Sequence, residues 1–362
     1  AYEITCRDGS SDVCSSDLFT DIGAYEGPSK GTPTIIYVNA NNASGIENGL
    51  SWSFAYTKLQ DALSLAESGD EIWVAEGLYL PGTYGMPTSA FNLKTNVAVY
   101  GGFDGTETIR SQRSWDKNRC VLSGDLNQNG ALDSNMDSYH VVIGADGATI
   151  DGLVITGGCG DGGAADDRRG SGLFCDGVSM TVANCVFVRN WVDTEGGAIY
   201  VRNAPLTVAN SLFVGNTASD YGCAIVFSNS FGSLVEDSQF IGNESSSVFY
   251  ADNSTAVFRN VLIAGNESRA FDAIYGSTQL DIINCTVVNN AYRGISSEQS
   301  STVTVINSII RNNEASDLFT STGGVITPMY SNIKNYVGGV GNMDSDPLFA
   351  NVGATGTWTS IG

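Results

Sequence analysis

Stacked parallel coils, an all-β solenoid, are the fold class that this sequence predicts. Six times between residues 184 and 313 two polar residues stand six positions apart: Asn184/Asn190, Asn210/Asn216, Asp237/Asn243, Asn260/Asn266, Asn284/Asn290 and Asn307/Asn313. Successive pairs recur every 23 to 27 residues, too short a period for a globular domain and right for one coil. Apolar residues keep the same register. Two before each first marker stand Val182, Val208, Val235, Phe258, Ile282 and Val305; three after it stand Phe187, Phe213, Phe240, Ile263, Val287 and Ile310. Such columns are what in-register stacking requires, because each side chain packs on its copy one coil away. With 43 Gly and 15% charged residues, the composition suits tight turns.

The chain divides in order. Ser10 to Leu18 is similar to the translation of a sequencing-library adapter, so residues 1–18 are set aside from fold reasoning. Residues 1–34 as a whole read as a leader, the end of a preceding unit and a linker containing Pro28 and Pro33. Residues 35–350 form the solenoid. At 52–68, Phe54, Leu59, Ala62, Leu63 and Ala66 fall on one helical face, and a helix here covers the interior that the first coil would otherwise expose. Gly69-Asp70 ends it and Glu71 to Ala75 follows as a strand. Phe91 to Phe103, Val121-Leu122, His140 to Ile143 and Thr149 to Thr156 supply early, irregular coils. At about 24 residues per coil, residues 70–350 hold roughly eleven to twelve coils in a rod of about 50 Å. Residues 351–362 read as a truncated tail.

The marker Asn residues are expected at inward turns, where an amide bonds the next amide and the backbone left unpaired by the bend. Cys185 and Cys285 occupy one column with Ser211, Ser238 and Ser308. Four coils separate them, about 19 Å, beyond the roughly 7 Å limit for a bridge. Cys159 and Cys175 flank an insertion and are the pair placed to staple it. Arg189 and Arg311 are expected to project outward.

The lid helix with Gly69-Asp-Glu-Ile72, the coil period and the Asn pairs resemble right-handed parallel β-helix proteins of the pectin-lyase-like class. Gly196-Gly-Ala-Ile199 with Phe187-Val-Arg-Asn190, Phe213-Val-Gly-Asn216 and Phe240-Ile-Gly-Asn243 resembles the repeats of polymorphic outer-membrane proteins, which are adhesins; Gly222-Cys-Ala-Ile225 is a degenerate copy. Asp21-Ile-Gly-Ala-Tyr-Glu26 and Asp346-Pro-Leu-Phe349 are similar to the closing parts of bacterial surface proteins built from consecutive β-helix units. The resemblance implies an extracellular or cell-surface bacterial location. It leaves function open, since one fold hosts lyases, hydrolases, adhesins and fibres.

A formal net charge of -22 repels nucleic acid and anionic membranes unless a cation intervenes, so neither is the expected partner. No apolar run approaches the roughly 18 residues that would cross a bilayer. The chain opens on Ala1 without a signal peptide and reads as a piece of a mature protein.

Two segments carry candidate chemistry. Asp125-Leu-Asn-Gln-Asn-Gly-Ala-Leu-Asp133 matches the first nine positions of a calcium loop, giving Asp125, Asn127, Asn129 and Asp133 as ligands. The usual Glu at the twelfth position is Met136, and Asp137 one place later is taken as the fifth candidate ligand. Structural calcium and a solvated turn are the two readings. The insertion 157–172 holds Asp161, Asp166, Asp167, Arg168 and Arg169, which together with Trp191 suit sugar binding or acid–base work; a mobile polar loop is the alternative. Tyr200, Tyr221, Tyr250, Tyr275 and Tyr292 recur near coil edges, to stack on sugars or pack inward. His140, the one histidine, reads as a packing residue.

Lyases of the resembled class use a Lys or Arg base, and no Lys lies between Lys117 and Lys334. Their hydrolase counterparts cluster Asp residues on neighbouring coils, whereas Asp252 and Asp272 fall in different coils and Asp237 and Asp281 in different columns. The expected function is therefore a non-catalytic adhesin or stalk that contacts polysaccharide, cell-surface glycan or protein. A polysaccharide lyase or glycoside hydrolase is the first alternative, and a fibre subunit self-associating end to end the second.

Overall fold

The computed structural model describes residues 34–336 and 338–348. The adapter-like leader, the preceding unit's closing motif, most of the linker and the tail lie outside them. Thr34 onward forms one unit, and its strands assemble into three parallel sheets that each coil visits in turn. In a typical coil Met180–Ala183 belongs to sheet 1, Val186–Val188 to sheet 2, and Trp191–Val192 with Ile199–Arg202 to sheet 3, before Leu206–Ala209 re-enters sheet 1. Sheet 2 has ten strands, which sets the solenoid at about ten turns. The expected eleven to twelve came from a uniform period, but early coils are longer: Gly77 pairs with Cys120, and Cys120 with Leu153.

The two marker columns do different work. Every first marker lies in the left-handed region, with φ of 51° at Asn184, 49° at Asn210 and Asp237, 56° at Asn260 and Asn284, and 50° at Asn307. The corner between sheets 1 and 2 demands that conformation, and Asn and Asp tolerate it best among residues with a Cβ. These side chains turn outward, against expectation, and bond one another on the surface, as Asn307 Nδ2 does to Asn284 Oδ1 at 2.8 Å. Gly152 takes the same corner in an early coil at φ 77°, which is why the run 149–156 is two strands, Ala148–Asp151 and Leu153–Thr156, in different sheets.

The second markers do point inward. Asn190, Asn216, Asn243, Asn266, Asn290 and Asn313 are all buried. Each Nδ2 donates to the next Oδ1 at 2.8–3.0 Å, and each backbone N–H of the first five reaches the same oxygen. Asp317 ends the ladder, accepting from Asn313 Nδ2 at 2.8 Å. Turn groups that would otherwise be orphaned are thereby satisfied.

Between the ladders runs one apolar column from Ile36 to Ile333. All twelve column residues read from the sequence are fully buried, and Phe187, Phe213 and Phe240 stack at 4.9 and 4.5 Å. The Cys185 column is also as expected: Cys185 and Ser211 backbone amides bond Ser211 and Ser238 hydroxyls at 3.2 and 3.0 Å. Cys159 and Cys175 are both free and buried, so no staple closes the insertion; burial pushes both thiols up to about 12. The lid is shorter than expected, a 3-10 turn at Trp52–Phe54 and an α-helix at Leu59–Leu65. Its Leu59, Ala62 and Leu63 join the core beside Ile36, Val38, Ile72 and Val74. Arg189 projects outward as expected, but Arg311 is buried, bonding Asp344 and Asn332 at 2.8 Å.

Candidate functional site

The outer face of sheet 3 gathers most of the polar and aromatic chemistry. Alternation sets it up: Leu173, Cys175, Ile199 and Val201 face the core, which turns Phe174, Asp176, Tyr200 and Arg202 the other way. Insertion 157–172 lies beside this row. Asp166 opens a 3-10 turn at Asp166–Arg168, and its carboxylate accepts from both terminal nitrogens of Arg202 at 2.8 and 3.0 Å. Arg202 also bonds Asp176 at 2.7 Å, Arg169 pairs with Glu195 at 3.3 Å, and Arg168 with Asp193 at 3.5 Å. Arg169 lies over Tyr200, which stacks on Phe174 at 5.9 Å.

Asp166, Arg168 and Arg169 are thus brought together, but each is held in an ion pair. The other insertion acids are not. Asp161 turns to Ser134 and the Asn135 backbone, and Asp167 accepts from the Ala164 N–H at 3.0 Å. Trp191, half-buried, sits in a short strand paired with Cys159 and Thr217. His140 packs as expected, Nδ1 3.1 Å from the Gly170 carbonyl and the ring 5.0 Å over Phe174. Desolvation lowers its pKa, so it is neutral at pH 7.

Farther along the same face lies a group whose members sequence reasoning named singly but did not bring together. Register aligns Phe174, Tyr200, Val226, Tyr250, Asp272, Ser296 and Phe319 in one row. Asp252 stands two residues beyond Tyr250, so Asp252 and Asp272 are diagonal neighbours on adjacent coils, with Cα positions roughly 8 Å apart by sheet geometry. Tyr221 stacks on Tyr250 at 4.7 Å. Burial pushes the Glu195, Asp252 and Asp272 carboxyls above their usual range, even though Arg169 pulls against it at Glu195 and Arg269 at Asp272. Asp272, 3% exposed, bonds Arg269 at 2.7 Å through Oδ2, while its Oδ1 and the Ser296 hydroxyl have no hydrogen-bond partner. Beside Arg269 a cleft of about 260 Å³ is lined by Ser245, Glu267, Ser268 and Tyr292 among others.

Coil numbering hid this group. A register shift between Glu244 and Ser247 displaces the row relative to the Asn ladder. Counting from the inward Phe249 and Phe271, which pair directly, would have placed Asp272 opposite Tyr250.

The 125–137 loop closes on itself. Asn127 and Asn129 Nδ2 both reach Asp133 Oδ2, at 2.6 and 2.9 Å, and Gly130 N–H donates to Asp125 Oδ2 at 2.8 Å. Asp137 lies beneath, its carboxylate accepting from the Leu126 and Asp133 N–H groups at 3.0 and 2.7 Å. Rotating the two amides would present oxygens where nitrogens now converge. Among the described residues no three His, Cys, Asp or Glu side chains are grouped to hold a metal, and no helix is long and apolar enough to cross a membrane.

Residues 171–339 match the family model of the right handed beta helix region. No curated protein matches the chain. Among solved structures, a pectate lyase, Pel9A, aligns at 16% identity over 84% of this chain and 79% of its own, with a TM-score of 0.50. The A-module of the Azotobacter vinelandii mannuronan C-5 epimerase AlgE6 aligns at 14% identity over 84% and 86%, with a TM-score of 0.48. Parallel sheets and coil order, with the family model over residues 171–339 and the likeness to the pectate lyase, together show the fold of a right-handed parallel β-helix.

Proposed function

We propose that this is an extracellular or cell-surface β-helix whose sheet 3 outer face contacts polysaccharide without cleaving it. The observation that carries the reading is the Tyr221/Tyr250 stack, set among polar side chains on a flat parallel sheet. Exposed rings offer the apolar faces of sugars a platform that costs little side-chain entropy. A pectate lyase among similar folds is consistent with a sugar polymer as ligand. Removing the platform with Tyr221→Ala is expected to weaken glycan binding about three- to tenfold by calorimetry or affinity electrophoresis, the size of one aromatic contact. Unchanged binding would remove this face from the reading.

A second reading, hydrolysis, is favoured by the Asp252/Asp272 diagonal, since two carboxyls on adjacent coils are what glycoside hydrolysis uses and a raised pKa suits a general acid. Against it stands the burial of Asp272 beneath the surface. New reducing ends released from a polysaccharide, and abolished by Asp252→Asn, would replace the first reading with the second.

We also propose a structural cation at Asp125, Asn127, Asn129 and Asp133, with Asp137 holding the loop backbone from below. Support comes from the convergence of three of these side chains on one point. Calcium at a hundredfold its Kd is expected to add about 2.7 kcal/mol of stability. Thermal unfolding checks it: a midpoint indifferent to calcium and to chelator removes the metal.

A further inference from the structure

We propose that the polymer taken by this face carries free amines, as a 2-amino-2-deoxy sugar does, and that Asp220 and Asp252 receive the ammonium groups beside Tyr221. This rests on the reading of sheet 3 as the glycan-contacting face.

The inventory of charge on that face supports the assignment. A uronate polymer needs an unengaged cation or a bridging metal, and the face offers no free guanidinium. Arg168, Arg169, Arg202, Arg269 and Arg293 are each within ion-pair distance of Asp193, Glu195, Asp166, Asp272 and Glu298 respectively. Arg202 is doubly held, by Asp176 as well, and no Lys occurs between 117 and 334. Carboxylates are what remain. Among the described residues, the Asp220 and Asp252 side chains have no ion pair and accept no hydrogen bond. Asp220 directly precedes Tyr221, which is 37% exposed; Asp252 ends the strand that carries Tyr250, the ring on which Tyr221 stacks.

The surroundings reinforce the sign. Glu195 is bridged to Tyr221 across adjacent coils, and the Tyr250 hydroxyl is held up by burial first and then by Asp252, Glu195, Tyr275 and Asp272. Of these, Glu195 is held by Arg169 and Asp272 by Arg269, which leaves Asp252 as the carboxylate without an ion pair, and with Asp220 it sets a negative sign beside the rings. An ammonium gains from both elements at once, the ring face and the carboxylates, while a sugar acid meets repulsion from the face and from a chain of net charge -22.

Isothermal titration calorimetry with three oligomers of equal length tests this: glucosamine, N-acetylglucosamine and galacturonate. The amine form is expected to bind at least about tenfold tighter than the acetylated one. Asp220→Asn combined with Asp252→Asn should erase that preference while keeping the folded circular dichroism spectrum. Asp281→Asn, an exposed acid in sheet 1, should retain it. Equal or tighter binding of the acetylated or uronate oligomer overturns the amine assignment and leaves the glycan-contact reading standing. Equal losses in the Asp281 and double variants overturn it too, as diffuse attraction of a polycation. Binding of none of the three removes both.

Discussion

Asn243→Leu is expected to cost about 3–6 kcal/mol, the largest loss from any single polar substitution in the stack. The amide makes contacts in both directions: Nδ2 donates to Asn266 Oδ1 and to the Phe213 carbonyl, each at 3.0 Å, and Oδ1 accepts from the Asn216 side chain and backbone, both at 3.0 Å. A Leu of similar size leaves the Asn216 N–H and one of the two Asn216 Nδ2 hydrogens buried and unpaired, at about 1–3 kcal/mol each, although Nδ2 keeps the Phe187 carbonyl at 2.9 Å, and it takes one donor from the Phe213 carbonyl, at about 1 kcal/mol. Urea denaturation measures it, with Asn260→Gly as control. Asn260 faces solvent at φ 56°, a conformation Gly adopts freely, so that change should stay within about 0.5 kcal/mol. Equal losses at the two positions would show that the outer side-chain contacts, such as Asn260 to Asp237, hold the stack as strongly as the buried ladder.

Phe213→Ala should follow closely, at about 3–5 kcal/mol. Its ring is fully buried between Phe187 and Phe240, stacked at 4.9 and 4.5 Å. Neighbouring coils are pinned by parallel pairing on either side, so the cavity has little means of collapsing. Phe213→Leu keeps most of the volume and should lose well under half as much. If Ala and Leu cost the same, stacking geometry rather than filled volume dominates this column.

The regular coils were legible because their lengths are nearly constant. From Met180 to Ile310 a fixed offset from each Asn finds the inward residue, and the pairing bears out every position in both apolar columns. Before that, loops of unequal length break the offset, so the count ran high and Thr149 to Thr156 read as one run where two strands stand. A fixed spacing also conceals which of two Asn residues faces inward. One is chosen for its φ and the other for its amide, and both choices leave the same letter. On sheet 3 the local register shift after Glu244 hid the Tyr250/Asp272 row. The insertion drew attention by composition, yet its Asp166, Arg168 and Arg169 are engaged with one another's neighbours.

The buried amide ladder has a mechanical corollary. Each rung is fastened only to the rung above and the rung below, so tension along the rod falls on one interface at a time rather than on a shared centre. Pulled from its ends, such a molecule sheds single turns in succession, and a turn that has come away leaves the remainder whole.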